Sequence, residues 1–182
     1  MIRTIFLFAA IALSCVNTQK SNLSNEKPKE ESSVQSDILI GPFHKEDLQA
    51  KPYAGWFNPR YEKFTPENEA LETIKENIND YQIKLFMGTW CGDSKRETPK
   101  MLKLLDEAGY NYDNLEMFAV DYDKTTPDQL EEKYDIHHVP TIIFYKDGKE
   151  VNRFVEYAQG ASLEEDIAKI VSGEEYHDSY SD

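Results

Sequence analysis

The chain has 182 residues, 40% of them hydrophobic, with 20 Lys and Arg against 34 Asp and Glu, a formal net charge of −14. That length suits one domain with appendages and allows a real apolar core, while so negative a surface excludes nucleic acid as a partner because phosphates are repelled. Two cysteines, Cys15 and Cys91, are too few for a disulfide framework.

At the start of the chain, Arg3 forms a short positive region and Thr4 to Leu13 an apolar run. The run is too short to span a bilayer as a helix, and small residues follow it before Cys15, which is the grammar of an export signal. The string Ala12-Leu13-Ser14-Cys15 resembles a bacterial lipoprotein signal, although that pattern favours Leu where Ala12 stands. The resemblance implies lipidation at Cys15 and a domain that is exported and lipid-anchored to a bacterial membrane, on its periplasmic or cell-surface side. An ordinary secretory signal over residues 1–15 is the alternative, and both take the domain out of the cytoplasm. An acylated Cys15 could not serve as a partner for Cys91.

Residues 16–37 are polar and charged with almost nothing to bury, which predicts a disordered tether. Residues 38–64 carry Phe43, Tyr53, Trp56, Phe57 and Tyr61, and are expected to pack on the domain as an aromatic extension, since exposed aromatic clusters are uncommon. The domain itself is expected over residues 65–173. Thr65-Pro66-Glu67 reads as an N-cap with Pro at the first helical position, and Leu71, Ile74 and Ile78 repeat at helical spacing. Lys84 to Met87 predicts a strand, and Gly92 to Ala108 a helix containing Pro99, which should kink it.

Leu115 to Val120 predicts a further strand, and Thr126-Pro127-Asp128-Gln129 a capping box that opens a short helix. Strands over Thr141 to Tyr145 and Val151 to Tyr157 flank Lys146-Asp147-Gly148-Lys149, a hairpin signal. Ser162-Leu163-Glu164-Glu165 is a second capping box, with Gly173 closing its helix. Residues 174–182 are acidic and expected to fray. The order β-α-β-α-β-β-α after a first helix predicts an α/β fold, a mixed central sheet with helices on both faces.

Cys91 stands in Trp90-Cys91-Gly92-Asp93-Ser94, the frame of a Cys-x-x-Cys redox site with a hydroxyl in place of the second thiol. Several features in the right order make residues 67–173 similar to the thioredoxin family. Trp90-Cys91-Gly92 follows a strand and opens a helix, Pro99 lies eight residues beyond Cys91, and His138-Val139-Pro140-Thr141 precedes a strand, followed by a hairpin and a last helix. The resemblance implies a thioredoxin-like fold, Cys91 as nucleophile, and a cis Pro140 that sets the Val139 backbone beside it.

There are departures. Ser94 replaces the resolving cysteine, Asp93 replaces the motif's proline, and Leu85 stands where many members bury an acid. Cys-Gly-Asp-Ser also resembles the monothiol glutaredoxin motif, some members of which bind an iron–sulfur cluster. Against that, Trp90 is thioredoxin-like and no glycine pair follows Pro140.

A helix N-terminus favours the thiolate, and the Ser94 hydroxyl, one turn on, is expected to reach the sulfur. Asp93 opposes the charge, and Lys95 and Arg96 would offset it by folding back. A lone thiol attacks a disulfide but cannot expel the product. The chain therefore reads as a monothiol thiol–disulfide exchange protein, reductase- or isomerase-like, with catalytic Cys91 and Ser94 and supporting Trp90, Gly92, Asp93, Val139, Pro140 and Thr141. Its partners would be a disulfide-containing or thiol-modified client protein, an external thiol reductant and the membrane, through the lipid anchor. No cofactor is expected.

The alternative is a redox-inactive binding module using the face around Pro140. A metal site joining Cys91 to His137 or His138 is disfavoured, because adjacent rings point to different sides and no further Cys or His lies near. No metal is expected, and Asp121 and Asp123 read as solvated turn carboxylates.

Overall fold

The computed structural model of the protein describes residues 38–181. The expectations for a signal, for lipidated Cys15 and for a tether fall outside the described residues. In chain order the elements are β1 (Gly41–Pro42), α1 (Lys45–Gln49), α2 (Ala54–Lys63), α3 (Asn68–Asn77), β2 (Gln82–Met87), α4 (Gly92–Ala108), β3 (Leu115–Ala119), α5 (Leu130–Lys133), β4 (Thr141–Lys146), β5 (Lys149–Val155) and α6 (Leu163–Ser172). Short 3-10 turns follow α3 and precede β3. No helix among the described residues is long and apolar enough to cross a membrane.

The five strands form one mixed sheet in the order β1-β3-β2-β4-β5. β2 lies at its centre, parallel to β3 and antiparallel to β4. β4 and β5 close a hairpin in which both turn residues, Asp147 and Gly148, have positive φ, +54° and +74°. That is the geometry a two-residue turn needs to match strand twist.

Alternation along β2 decides what each face carries. Ile83, Leu85 and Met87 point into the main core with Ile142, Phe144 and Phe154, against α2, α3, α4 and α6. Phe86 points the other way, joining Ile143, Val120, Ile136, Val139 and Cys91. Leu130 of α5 and the adjacent Tyr134 cover that second face. The fold is thioredoxin-like, a mixed sheet with helices on both faces.

Phe43, Leu48 and Phe57, from the segment before α3, are buried in the main core. Burying side chains of this size contributes about 1.5–3 kcal/mol each. Lys45, Tyr61 and Tyr112 converge on Asp106 near the end of α4, with Lys45 Nζ 2.8 Å and the Tyr112 hydroxyl 2.9 Å from its carboxylate oxygens.

Several expectations need correction. The Thr65-Pro66 cap is displaced: Glu67 is the N-cap of α3, its carboxylate accepting from the Ala70 N–H at 2.9 Å. The short helix starts at Leu130 with Gln129 as its N-cap, after the Thr126 signal, and the Thr126 hydroxyl accepts from the Leu130 N–H. β1 was not legible, because two residues carry no period; it pairs antiparallel with β3.

The tail does not fray. Tyr176 is buried with its hydroxyl bonded to Asp166. Asn152 of β5 donates to the Tyr176 carbonyl, and the Ser179 hydroxyl donates to the Val155 carbonyl at 2.8 Å.

Candidate functional site

β2 delivers the chain to a tight turn at Gly88. A Cβ there would sit 2.7 Å from the Trp90 indole, so only glycine lets the ring lie over the turn. Trp90 Nε1 donates to the Val120 and Asp121 carbonyls at 3.2 and 3.0 Å, which ties the turn to the end of β3. The Cys91 N–H donates to the Gly88 carbonyl at 3.0 Å, and Cys91 becomes the N-cap of α4.

Its Sγ accepts from the Ser94 backbone N–H at 3.5 Å, and its thiol donates to the Val139 carbonyl at 3.1 Å. The Val139–Pro140 peptide bond is cis. A helix start and the loop before β4 therefore meet at one sulfur. Cys91 retains 9% of its surface.

The Ser94 hydroxyl is not where local spacing puts it. It is fully buried and accepts from the Gly88 N–H at 3.1 Å. The physical reason is that the buried Gly88 N–H would otherwise be unpaired, a cost of about 1–3 kcal/mol. The sulfur meets the Ser94 backbone instead.

Lys95 and Arg96 do not fold back on the sulfur either. Arg96 pairs with Asp93 and with the buried Glu97, and so neutralises Asp93 at its source. Lys95 Nζ lies 6.0 Å from the centre of the Trp56 ring. Gly92 is exposed, with open space around its Cα. The Thr141 hydroxyl donates to the His138 carbonyl at 2.7 Å, bracing the loop that holds Val139 and Pro140.

The histidine rings take partners other than the sulfur. His137 pairs with Asp135 at 2.9 Å, and the His138 ring stacks on Tyr180, 3.7 Å between centres and 12° from parallel. Among the described residues no three His, Cys, Asp or Glu side chains come together as a metal site. The Asp121 carboxylate accepts from Thr125 backbone and side chain, which holds its pKa below the usual carboxylate value.

Two residues beside the site escaped the sequence reading. Glu156 holds the Pro140 carbonyl through its N–H at 2.8 Å, from a left-handed backbone (φ +58°). Tyr180 bonds the Glu156 carboxylate. The available signal was two aromatics, Tyr176 and Tyr180, in an otherwise polar tail.

Comparison with known proteins agrees with this geometry. The thioredoxin family model matches residues 63–169, more than half of the chain. Thioredoxin-2 of Saccharomyces cerevisiae is 34% identical over 86 residues, covering 47% of this chain and 76% of the yeast protein. A thioredoxin of Geodia cydonium is 33% identical over 98 residues, covering 54% of this chain and 87% of its own. Among solved structures, a Pseudomonas aeruginosa protein of unknown function superposes with a TM-score of 0.52 at 14% identity, covering 66% of this chain and 84% of its own, a likeness of fold alone.

The chain belongs to the thioredoxin family. The activity characteristic of that family is thiol–disulfide exchange, with disulfide-containing substrates and thiol reductants.

Proposed function

We propose that this protein is a monothiol thiol–disulfide exchange protein acting through Cys91. The observation that carries the reading is the sulfur at the first turn of α4, 3.5 Å from the Ser94 N–H and 3.1 Å from the Val139 carbonyl beside cis Pro140. Ionisation removes the proton shared with the Val139 carbonyl and strengthens the bond from the Ser94 N–H, and the helix dipole favours the same charge. The freed carbonyl can then pair with an extended client strand.

The Cys91 thiolate attacks one sulfur of the client disulfide. A Cys91–client disulfide forms, and the other client sulfur leaves as a thiolate. Ser94 carries no thiol with which to carry out a second exchange. Release needs an external thiol, which takes the client sulfur and returns Cys91 to the thiolate, or the client's own second thiol, which returns the pair as a rearranged disulfide. Such a site suits isomerisation, removal of small-thiol adducts or prolonged capture of a client better than bulk reduction.

The test is adduct formation. The parent should form a mixed disulfide with a model disulfide, Cys91→Ser should form none, and Ser94→Cys should raise disulfide-reductase turnover. An adduct that survives Cys91→Ser, or a parent that forms none, defeats the reading.

The low exposure of Cys91 supports a second reading, a redox-inactive module that uses the face around Pro140 to bind partners. An unreactive parent that still binds a partner through that face would select it.

Location is part of the proposal: export and lipid anchoring at Cys15, supported by the residues before it. Metabolic labelling with a fatty acid, lost in Cys15→Ser, is the expected result.

A further inference from the structure

Beyond α6, the nine described residues 173–181 run along β5 to Glu156 and His138. They are fastened at three points. Tyr176 is anchored in the main core. Ser179 bonds the Val155 and Tyr157 carbonyls and accepts from Gln159 Nε2 at 2.8 Å. Tyr180 lies flat on His138 and donates to Glu156.

Both Tyr180 contacts lead directly to the site. His138 precedes Val139, the residue whose carbonyl meets the Cys91 thiol. Glu156 holds the carbonyl of Pro140 and faces His138 Nδ1 at 3.5 Å. The hydrogen bond to the Glu156 carboxylate, with desolvation next, pushes the Tyr180 pKa up to about 12. The ring also bounds a cleft of about 410 Å³, shared with His138, Thr141, Arg153 and Asp178.

We propose that Tyr180, held on His138 and Glu156, is a specificity-determining wall beside the Val139–Pro140 edge at which a client strand would pair. Any client strand that pairs with Val139 must pass the Tyr180–His138 stack. A slender extended segment or a small disulfide fits beside it, whereas the broad surface of a folded protein meets the ring first. This rests on Cys91 as the reacting thiol but not on its exchange chemistry, because access can be measured by alkylation.

The experiment uses the full chain carrying Cys15→Ser, so that Cys91 alone is labelled. Second-order rates are measured with iodoacetamide and with a polyethylene-glycol maleimide. Tyr180→Ala should raise the ratio of bulky to small reagent rates about five- to tenfold, and Tyr180→Phe, which keeps the stack but loses the Glu156 bond, about twofold. Tyr180 is half exposed, so neither change should unfold the domain, and circular dichroism checks this.

A ratio unchanged in Tyr180→Ala overturns the wall, even if the parent forms mixed disulfides. A ratio that rises while no variant forms a mixed disulfide upholds the wall and defeats the exchange reading.

Discussion

The two faces of the sheet are covered very differently. On one, Ile83, Leu85, Met87, Ile142 and Phe144 lie beneath four helices, and the N-terminal segment adds Leu48 and Phe57 to the same core. On the other, Phe86 and Ile143 are covered by Leu130, Tyr134 and the loops that carry Cys91, Val120, Ile136 and Val139. Apolar mass is concentrated on the first face, and reactive groups are presented by loops at the rim of the second. A rigid scaffold on one side lets loops on the other hold a precise geometry without contributing most of the stability.

The sharpest way to break that contrast is to delete apolar volume on each side. Phe144→Ala, at a fully buried position under the helices, should cost about 3–5 kcal/mol in urea unfolding. Tyr134→Ala, at a half-buried position on the thin face, should cost about 1–1.5 kcal/mol. Equal costs would mean that both faces carry the fold alike.

Next in size is the Asp106 cluster, which ties α1 and α2 to α4. Asp106→Ala leaves Lys45 and Tyr61 without this acceptor and Tyr112 with only the Leu102 carbonyl, and should cost about 2–3 kcal/mol. Burial disfavours the Asp106 carboxylate, but bonds from Lys45 and the two tyrosines outweigh it and hold its pKa below the ordinary value. A pKa lowered by folding contributes stability above the unfolded-state value, and that stability is lost as pH falls through the folded-state value. Asp106→Asn should therefore flatten the loss of stability below about pH 4, read from urea midpoints across pH.

Ser94→Ala tests the thin side. It strips the Gly88 N–H of its acceptor and should cost about 1–2 kcal/mol, while Cys91 keeps its bond from the Ser94 backbone. Alkylation of Cys91 should then change by less than threefold. A collapse of reactivity would show that the hydroxyl acts on the sulfur after all. The smallest effect belongs to Ser162→Ala, which removes the α6 cap that accepts from the Glu165 N–H, at about 1 kcal/mol by thermal or urea unfolding.

What was readable in advance follows the range of the interaction. The α4 limits, Gly92 to Ala108, were legible because a cap at Cys91 and a left-handed Gly109 are local events. The Asp147-Gly148 turn was legible for the same reason. The α5 start slipped and the Thr126 capping box did not form, since Gln129 takes a left-handed conformation and is itself the N-cap, while the Thr126 hydroxyl only accepts from the Leu130 N–H. Ser94 was misplaced because two partners compete for one hydroxyl, and the winner, the Gly88 N–H, is six residues away on the other side of a turn.

The order of helices and strands from α3 onward, the lone thiol at a helix start and the proline before β4 were determined by the sequence alone, because each rests on periodicity, capping or turn chemistry within a few residues. The tertiary structure alone decided that the Cys91 thiol meets the Val139 carbonyl, that Ser94 serves Gly88, and that Tyr180 closes on His138. Those pairings join segments brought together only by folding, where burial makes an unpaired donor costly and selects which partner each group takes.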